Sequence, residues 1–308
     1  MEKIYDMIIV GGGPGGYTAA LYAARAGLDV LLIERLSAGG QMNLTSQIDN
    51  YPGFPEGVDG FTLSMNMQQQ AERFGAKTKY AEVLKLELDG KVKLVQTNEG
   101  TYQAKTVVIS TGANPRQLGV DREGEMIGRG VGYCAHCDGG FYRGKTVAIV
   151  GGGNSAAAEA LYLSRIAKEV ILIHRRDTLR ATQIYHKPLM DAPNIRFLWN
   201  SQVEALLGEE VLEGVKVRNL QNGEEEVLEV QGLFVSVGRK PATDLVKDQL
   251  TLDSAGYIMA GENTKTSIPG VYAVGDVRTK ELRQIVTAVA DGAMAAHVAE
   301  QFLAEGVE

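Results

Sequence analysis

One glycine-rich pattern occurs twice in this chain of 308 residues, and the two copies start about 140 residues apart. Residues 9–35 and residues 149–175 each begin with an apolar run that ends in G-x-G-x-x-G or G-x-G-x-x-A. A stretch of small residues follows, and a second apolar run closes each copy. This is the pattern of a βαβ unit that binds a dinucleotide. Because Leu21-Tyr22 also matches Leu161-Tyr162, we interpret the chain as holding two such units and predict two bound dinucleotides.

The small residues of each motif have separate physical functions. The first glycine allows the tight turn from strand to helix, the second lets a pyrophosphate approach the backbone, and the sixth position allows close helix packing. These residues are Gly11, Gly13 and Gly16 in the first copy and Gly151, Gly153 and Ala156 in the second. One isolated match would leave open a glycine-rich turn in an ordinary α/β domain. The repetition argues against that alternative.

The copies differ at the end of the second apolar run, where such a unit meets the ribose. Glu34 ends the run in the first copy, and a carboxylate there suits the free ribose hydroxyls of FAD or NAD. The second copy has His174-Arg175-Arg176 at this place, with Arg180 at a helical spacing. Guanidinium groups bind a 2′-phosphate through charge-assisted, often bidentate hydrogen bonds. The second site is therefore predicted to prefer NADPH to NADH, with a solvated basic turn as the alternative.

Composition and charge narrow the class of protein. The chain is 44% hydrophobic and 22% charged, as in an ordinary globular protein. No apolar run approaches the ~20 residues that a transmembrane helix needs, and the first predicted strand leaves no room for a signal peptide. We therefore expect a cytoplasmic protein without a membrane partner. The net charge of −7 argues against a nucleic-acid partner.

The chain has two cysteines, Cys134 and Cys137. Beside a βαβ pattern, C-x-x-C is typical of a redox pair whose disulfide remains exchangeable. Structural zinc normally takes four ligands, so no metal is expected, the alternatives being half of a zinc site shared between subunits and an inert surface pair. Between the cysteines, His136 is expected either to stabilise a thiolate as an imidazolium or to be a solvent-facing spacer.

The remaining segments indicate an α/β protein. Predicted strands are 6–10, 29–33, 107–109, 146–150, 169–173, 233–237 and 271–274, with β-like runs at 82–97 and 104–110. Predicted helices are 14–26, 60–75, 154–166 and 284–304. Asn114-Pro115 and residues 238–241 are predicted linkers, because proline disfavours helix in the residue before it.

These motifs support a family comparison. The chain resembles the bacterial-type, low-molecular-weight thioredoxin reductases along essentially its whole length. The signatures are the two glycine motifs, Gly39-Gly40-Gln41, Cys-x-x-Cys-Asp at 134–138, His-Arg-Arg at 174–176 with Arg180, and Pro-Gly-Val-Tyr-Ala-Val-Gly-Asp at 269–276. The resemblance implies two Rossmann-like, three-layer α/β domains that bind dinucleotides. They are an FAD domain of residues 1–115 and 242–308 and an inserted NADPH domain of residues 116–241. The resemblance also implies a homodimer.

The same comparison implies which residues meet the cofactors. Those expected to bind FAD are Gly11, Gly13, Pro14, Gly15, Gly16, Glu34, Arg35, Gly40, Gln41, Asn50, Gly112, Gly275, Asp276, Arg283, Gln284 and Ile285. Those expected to bind NADPH are Gly151, Gly153, Asn154, Ser155, Ala156, His174, Arg175, Arg176, Arg180 and Gly238.

In a reductase of this type, electrons pass from NADPH through FAD to the Cys134–Cys137 disulfide and then to thioredoxin. The resemblance implies that Cys137 faces the flavin, that Cys134 attacks the partner and that Asp138 exchanges a proton with the nascent thiolate. Judged by its position alone, Asp138 could equally be a helix cap. Asp276 is expected to hold ribityl hydroxyls, and the helix that begins near Gln284 is expected to direct its N-terminal dipole at the flavin.

One departure from the family concerns the partner. The family commonly has two phenylalanines before Tyr-Arg, whereas this chain has Gly140-Phe141. Phe141 and Arg129 are left to anchor thioredoxin, so a glutaredoxin-like or peroxiredoxin-system partner is an alternative. An alternative of another class is a non-catalytic regulatory protein that senses FAD and NADPH.

Overall fold

The computed structural model describes residues 3–44 and 47–306. Its strands are β1 (Ile4–Val10), β2 (Val30–Glu34), β3 (Lys77–Tyr80), β4 (Val83–Glu87), β5 (Lys93–Thr97), β6 (Gly100–Ile109), β7 (Ala113–Pro115), β8 (Val131–Gly132), β9 (Thr146–Val150), β10 (Glu169–Ile173), β11 (Ile195–Leu198), β12 (Ser201–Leu207), β13 (Gly214–Asn219), β14 (Glu225–Glu229), β15 (Gly232–Val235), β16 (Arg239–Pro241) and β17 (Val271–Ala273). Its helices are α1 (Pro14–Arg25), α2 (Gly60–Arg73), α3 (Ala135–Asp138), α4 (Asn154–Ser164), α5 (Gln183–Asp191) and α6 (Ile285–Ala304). The predicted α/β fold class is confirmed.

The chain divides into two compact units. The first holds the residues up to Asn43, Tyr51–Asn114 and the chain from Lys240 onward, and the second holds Leu44–Asn50 and Pro115–Arg239. β7 and β16, at the predicted linkers, pair with each other in a two-stranded sheet.

The first unit is built on a sheet in the order β3-β2-β1-β6-β5-β4, with β17 also paired to β6. β1 runs parallel to β2 and β6, and β17 runs parallel to β6. Because side chains alternate along a strand, Met7 and Ile9 enter one core with α1, α2 and α6, while Ile8 and Val10 enter a second core. Apolar side chains thus cover both faces of this sheet.

The second unit repeats this plan. Its main sheet has the order β11-β10-β9-β15-β8, and all of its pairings are parallel. Val147 and Ile149 enter one core with α4, and Ala148 and Val150 enter another. Strands β12, β13 and β14 form a separate antiparallel sheet.

Two details differ from the sequence prediction. The β-like run 82–97 is a pair of antiparallel strands, since Asp89-Gly90 turns the chain and Gly90 has φ of +81°. Helix α5 was not predicted, because Pro188 lies inside it and proline normally breaks the helical pattern. Within residues 3–44 and 47–306, no helix is both long enough and apolar enough to cross a membrane.

The last helix closes the first unit. A capping box fixes the start of α6, in which the Gln284 backbone N–H donates to Thr287 Oγ1 at 3.1 Å. Further along, Gly292 faces α1 so closely that an added Cβ would overlap the Gly15 carbonyl oxygen. The two backbones can approach in this way only because Gly292 has no side chain.

We expect Gly292→Ala to destabilise the protein by about 1–3 kcal/mol, as overpacking does, although alanine is intrinsically the better helix former. Thermal unfolding of the holoprotein measures the effect. Gly124→Ala is the matched control, since a Cβ at Gly124 would meet no described atom within 4 Å. Equal unfolding temperatures for the two variants would contradict the close helix contact.

Candidate functional site

The two glycine turns have the same backbone geometry. The Gly11 N–H donates to the Ile33 carbonyl at 2.9 Å, and the Gly151 N–H donates to the Ile173 carbonyl at 3.1 Å. In both copies the turn is therefore tied to the end of the second strand of its βαβ unit. The sequence repeat is a repeat of three-dimensional structure.

Within each turn, the glycines differ in how closely neighbouring atoms surround them. Gly11 has φ of +104°, and a Cβ at Gly11 or Gly151 would overlap a carbonyl oxygen that follows the neighbouring strand. At Gly13 and Gly153, by contrast, an added Cβ would meet no atom of the described chain within 4 Å. The open backbone at these two glycines fits the approach of a pyrophosphate.

Glu34 lies directly against the first turn. One oxygen of its carboxylate accepts the Gly12 N–H at 2.7 Å, and the other accepts the N–H groups of Arg35 and Leu36 at 2.8 and 3.1 Å. A carboxylate has about four acceptor sites, so capacity remains for a ribose hydroxyl. These bonds hold the side chain in place.

The other residues predicted to bind FAD lie mainly where parallel strands end. Glu34 ends β2, Gly112 follows β6, and Gly275-Asp276 follow β17, which is the edge where open α/β sheets bind ligands. Gly40 begins a short 3₁₀ helix, and Gln41 Nε2 donates to Asn114 Oδ1 at 3.1 Å. The remaining residues of the first unit are Gly11, Gly13, Pro14, Gly15 and Gly16 at the first turn, Arg35 after β2, and Arg283, Gln284 and Ile285 at the start of α6.

Asn50 is separate from this group. It belongs to the segment that clusters with the second unit, and its Nδ2 donates to the His136 carbonyl at 3.4 Å. Asn50 thus contacts the segment that carries the cysteines.

A buried charge network, which sequence reasoning missed, supports the Gly275 turn. Asp291 on α6 accepts the Gly275 N–H at 2.8 Å and bonds from Arg278 at 2.6 and 2.9 Å and Lys280 at 2.6 Å. Burial by itself raises the pKa of Asp291, but the bonds from Arg278 and Lys280 outweigh it and hold that pKa below its usual value. The signal in the sequence was an aspartate on the apolar stripe of an alanine-rich helix.

In the second unit, His174 occupies the position that corresponds to Glu34. Its side chain is 5% exposed, and its ring lies so close to Gly152 that a Cβ there would overlap it. The ring also meets Trp199 edge-on, with centroids 6.3 Å apart. Burial first, and then the charges of neighbouring arginines, lower the pKa of His174, so the imidazole is neutral at pH 7.

The arginines that follow His174 are placed differently. Arg175, Arg176 and Arg180 are exposed, and in the described part of the chain none has an acidic partner. The Arg180 N–H donates to the Gly152 carbonyl at 2.7 Å, which ties this arginine to the second glycine turn. Three uncompensated guanidinium groups near a glycine turn suit an anionic group such as a phosphate.

The other residues predicted to bind NADPH lie in the same unit. Gly151, Gly153, Asn154, Ser155 and Ala156 form the turn and the first positions of α4, and Gly238 lies after β15 with φ of +111°.

The cysteines lie at the same sheet edge as the second glycine turn. β8 leads into residues 134–139, which we call the redox segment, and Cys134 is the N-cap of α3. Cys134 and Cys137 form a disulfide, with Cα atoms 5.3 Å apart. β8 is two strands from β9 in the sheet, a spacing of roughly 10 Å. Because all of these strands are parallel, the nucleotide turn and the disulfide face the same side of one unit.

Asp138 lies in a confined place beside the disulfide. A Cβ added to Gly132 would lie 3.0 Å from Asp138 Oδ2, so the glycine leaves room for the carboxyl group. Burial raises the pKa of Asp138 from 3.8 to about 6. A carboxyl group with this pKa can take up and release a proton near neutral pH.

His136 stacks on Tyr162, with ring centroids 4.5 Å apart. His136 is exposed as a whole residue, but partial burial of its ring lowers its pKa in this disulfide-bonded form. The two hypotheses for His136, a thiolate-stabilising imidazolium and a solvent-facing spacer, stay predictions.

Sequence reasoning also missed Glu159. It is the single acidic residue of α4, and its carboxyl group lies close enough to the Ser236 side chain and to the Ala135 backbone, beside Cys134, for both to favour its charged form. The signal was an acidic residue within a helix of small and apolar side chains.

Comparison with known proteins agrees with this geometry. Residues 5–292 match the model of the family described as pyridine nucleotide-disulphide oxidoreductase. A thioredoxin reductase of Peptoclostridium acidaminophilum is 42% identical over 100% of both chains, and one of Streptomyces coelicolor is 44% identical over 99% of this chain and 95% of the relative. The crystal structure of a thioredoxin reductase from Streptococcus pyogenes has a TM-score of 0.92 and 44% identity, covering 99% of this chain and 100% of the other.

The chain therefore belongs to the pyridine nucleotide-disulphide oxidoreductases, a class in which this fold carries two dinucleotide-binding domains. The relatives and the solved structure named above are all thioredoxin reductases.

The raised pKa of Asp138 predicts a pH-dependent stability. The folded carboxyl group ionises near pH 6 and the unfolded one near pH 3.8, so ionisation destabilises the folded protein progressively between these values. We expect Asp138→Asn to remove this penalty and to stabilise the protein by up to about 3 kcal/mol above pH 6.

Thermal unfolding from pH 4 to pH 8 measures this difference, which should vanish at the acid end. Asp121→Asn, at an exposed position of the same unit, is the control and should show no such trend. If Asp138→Asn were less stable than the parent at pH 8, the assignment of Asp138 as an acid whose pKa is raised by burial would be contradicted.

Proposed function

We propose that this chain reduces the disulfide of thioredoxin with electrons from NADPH, as a thioredoxin reductase. One structural observation carries the proposal: a disulfide lies at the same edge of one parallel sheet as a glycine turn, and three arginines beside this turn have no acidic partner within residues 3–44 and 47–306. The chain is also similar over its full length to thioredoxin reductases. The enzyme uses FAD and NADPH.

We assign FAD to the first unit. The open backbone at Gly13 admits the pyrophosphate, the remaining acceptor site of Glu34 receives a ribose hydroxyl, and Asp276 at the end of β17 holds the ribityl chain. FAD, when bound, supplies the two-electron relay between NADPH and the disulfide. The Asp291 network keeps the Gly275-Asp276 turn in position for this contact.

We assign NADPH to the second unit. Gly153 admits the pyrophosphate, and Arg175, Arg176 and Arg180 bind the 2′-phosphate. The His174 ring packs against Gly152 at the position where the first unit has the Glu34 carboxylate. The neighbouring arginines, rather than a carboxylate, therefore contact the ribose. This replacement of Glu34 by His174 at equivalent positions accounts for the different nucleotides of the two sites.

The protein's own thiol chemistry takes place at the Cys134–Cys137 disulfide. Cys137 is the sulfur that receives electrons, and Cys134 attacks the disulfide of the partner. Asp138, whose pKa is about 6, holds or releases the proton that the nascent thiolate exchanges. Burial at Asp138 keeps that proton available near neutral pH.

The partner surface is less aromatic than in typical family members. Gly140 is exposed where an aromatic is common, and Phe141 is 42% exposed. We assign thioredoxin docking to Phe141 and Arg129, with a glutaredoxin-like or peroxiredoxin-system protein as the alternative acceptor. We further propose a cytoplasmic homodimer, whose size sedimentation analysis would establish.

The purified yellow protein should reduce thioredoxin with NADPH, and Cys134→Ser and Cys137→Ser should each abolish this turnover while FAD stays bound, because one thiol cannot form the disulfide. Coupled reduction of a disulfide dye, with thioredoxin or glutaredoxin as acceptor, measures it. A colourless protein that does not bind FAD, or protein-disulfide turnover in either serine variant, would sink the proposal. Reduction of neither acceptor would favour a nucleotide-sensing protein.

Replacing Arg175 and Arg176 by alanine should lower the ratio of kcat/KM for NADPH to that for NADH by about 10²-fold or more, since each charge-assisted hydrogen bond contributes about 1.5–3 kcal/mol. Arg165→Ala, an exposed arginine of the same unit, is the control. Trp199 is the single tryptophan of the chain and contacts His174, so its fluorescence reports nucleotide binding separately from turnover. An unaltered preference in the double variant would refute the phosphate contact.

A further inference from the structure

Glu159 connects the nucleotide side of the second unit to the redox segment. Its carboxyl group lies near the Ser236 side chain, in the residue after β15, and near the backbone of Ala135, and both of these groups favour its charged form. Ala135 directly follows Cys134 in the chain. A charge on Glu159 therefore lies next to the backbone of the cysteine that meets the partner.

The carboxyl group is buried and only partly satisfied. Its Oε2 has no hydrogen-bond partner among the residues that the structure describes. Burial raises the pKa of Glu159 to about 7, although the Ser236 and Ala135 bonds and the charge of Arg239 act in the opposite direction. Charged and neutral forms of Glu159 therefore coexist at neutral pH.

The contact between α4 and the redox segment is held by packing as well. The His136 ring stacks on Tyr162, and a Cβ added to Gly139 would lie 2.8 Å from the same tyrosine ring. Since Tyr162 and Glu159 are both on α4 and three residues apart, they lie on neighbouring positions of one helix face. The packing of Tyr162 against His136 and Gly139 thus holds this face of α4, which includes Glu159, beside the redox segment.

The other charged groups around α4 leave Glu159 with little compensation. On α3, burial raises the pKa of Asp138 to about 6 and lowers the pKa of His136. On α5, His186 bonds to a backbone carbonyl, and Lys187 pairs with Asp191 at 2.6 Å on the surface. Strands β9 and β10 contribute apolar side chains to this core. Arg239 is the cation that acts on Glu159.

We propose that Glu159 is a positioning residue for the redox pair, whose negative charge opposes a thiolate at Cys134 and which takes up a proton when the disulfide is reduced. This inference rests on the proposed function, because it assigns Glu159 a part in the same disulfide chemistry.

Two electrons from the NADPH-dependent reaction break the S–S bond and leave two sulfur atoms, of which one receives a proton and the other remains a thiolate. A second proton from solvent binds to the Glu159 carboxylate, because a like charge nearby favours its neutral form. When the thiolate attacks the disulfide of the partner and loses its charge, Glu159 releases this proton.

The test is the alkylation of the protein's own thiols by iodoacetamide after reduction with dithiothreitol, without nucleotide or thioredoxin. Only thiolate reacts, and mass spectrometry distinguishes the two cysteines of the chain. In Glu159→Gln the thiol pKa at Cys134 should fall by about half a unit to one unit, so that alkylation at pH 8 is roughly three- to tenfold faster than in the parent. At pH 5.5, where Glu159 is protonated, the two rates should agree.

This pH-dependent ratio separates an electrostatic effect from a structural one, because a local distortion changes the rate at every pH. Glu229→Gln removes the same charge at an exposed position of the same unit and should leave the rate unchanged. The proposal would be overturned if the Cys134 alkylation rate of Glu159→Gln, divided by that of the parent, were one at every pH or did not change with pH. Either result would leave the thioredoxin reductase function intact.

Two further measurements test the proposal if the Glu159→Gln variant does not fold. In the unaltered protein, the Cys134 alkylation profile should show an inflection near pH 7 in addition to the ionisation of the thiol itself. Ser236→Ala, which removes a donor to the carboxylate, should move this inflection to higher pH. A profile that fits one ionisation, or an inflection that stays in place in Ser236→Ala, would be decisive against the role of Glu159.

Discussion

The structure depends on one steric constraint, the contact between a glycine turn and the carbonyl oxygen that follows the adjacent parallel strand. At Gly11 and Gly151 a Cβ would overlap that oxygen, so the chain can turn from strand to helix only with glycine there. This turn also places the open backbone of Gly13 at the carboxyl edge of the first sheet and that of Gly153 at the carboxyl edge of the second. Most of the other residues that are predicted to bind a dinucleotide lie near this edge, and Asn50 is an exception.

The two units share this edge but treat charge in opposite ways. In the first, Asp291, Arg278 and Lys280 are buried and bonded to each other, so their charges fix a backbone turn rather than attract a ligand. In the second, three arginines are exposed without acidic partners in the described chain, and this uncompensated charge suits an anionic ligand. The two units thus have one backbone plan at their glycine turns and differ in the charged residues at their strand ends.

Around the redox segment there is a third arrangement, in which burial rather than ion pairing sets the pKa values of the acidic side chains. Asp138 and Glu159 both have raised pKa values because they are desolvated near the disulfide. Such groups reduce the stability of the folded protein, and they persist where proton exchange near neutral pH is useful. Burial of the ring likewise lowers the pKa of His136, which lies between the two cysteines.

The α/β class, the two glycine turns, the redox pair and the cluster of arginines can be predicted from the amino-acid sequence, because each depends on local chemistry that a short stretch of chain contains. Glycine spacing, the C-x-x-C pair and the strand-end residues Glu34 and His174 can all be recognised in the chain without its fold. The assignments of individual residues to FAD and NADPH stay predictions. Only the tertiary structure brought Glu159 to Ala135 and Asp291 to Gly275, buried His174 under Gly152 and placed Asn50 beside His136. Burial and long-range contacts between distant segments set pKa values and hydrogen-bond partners, and neither is encoded in the neighbourhood of any one residue.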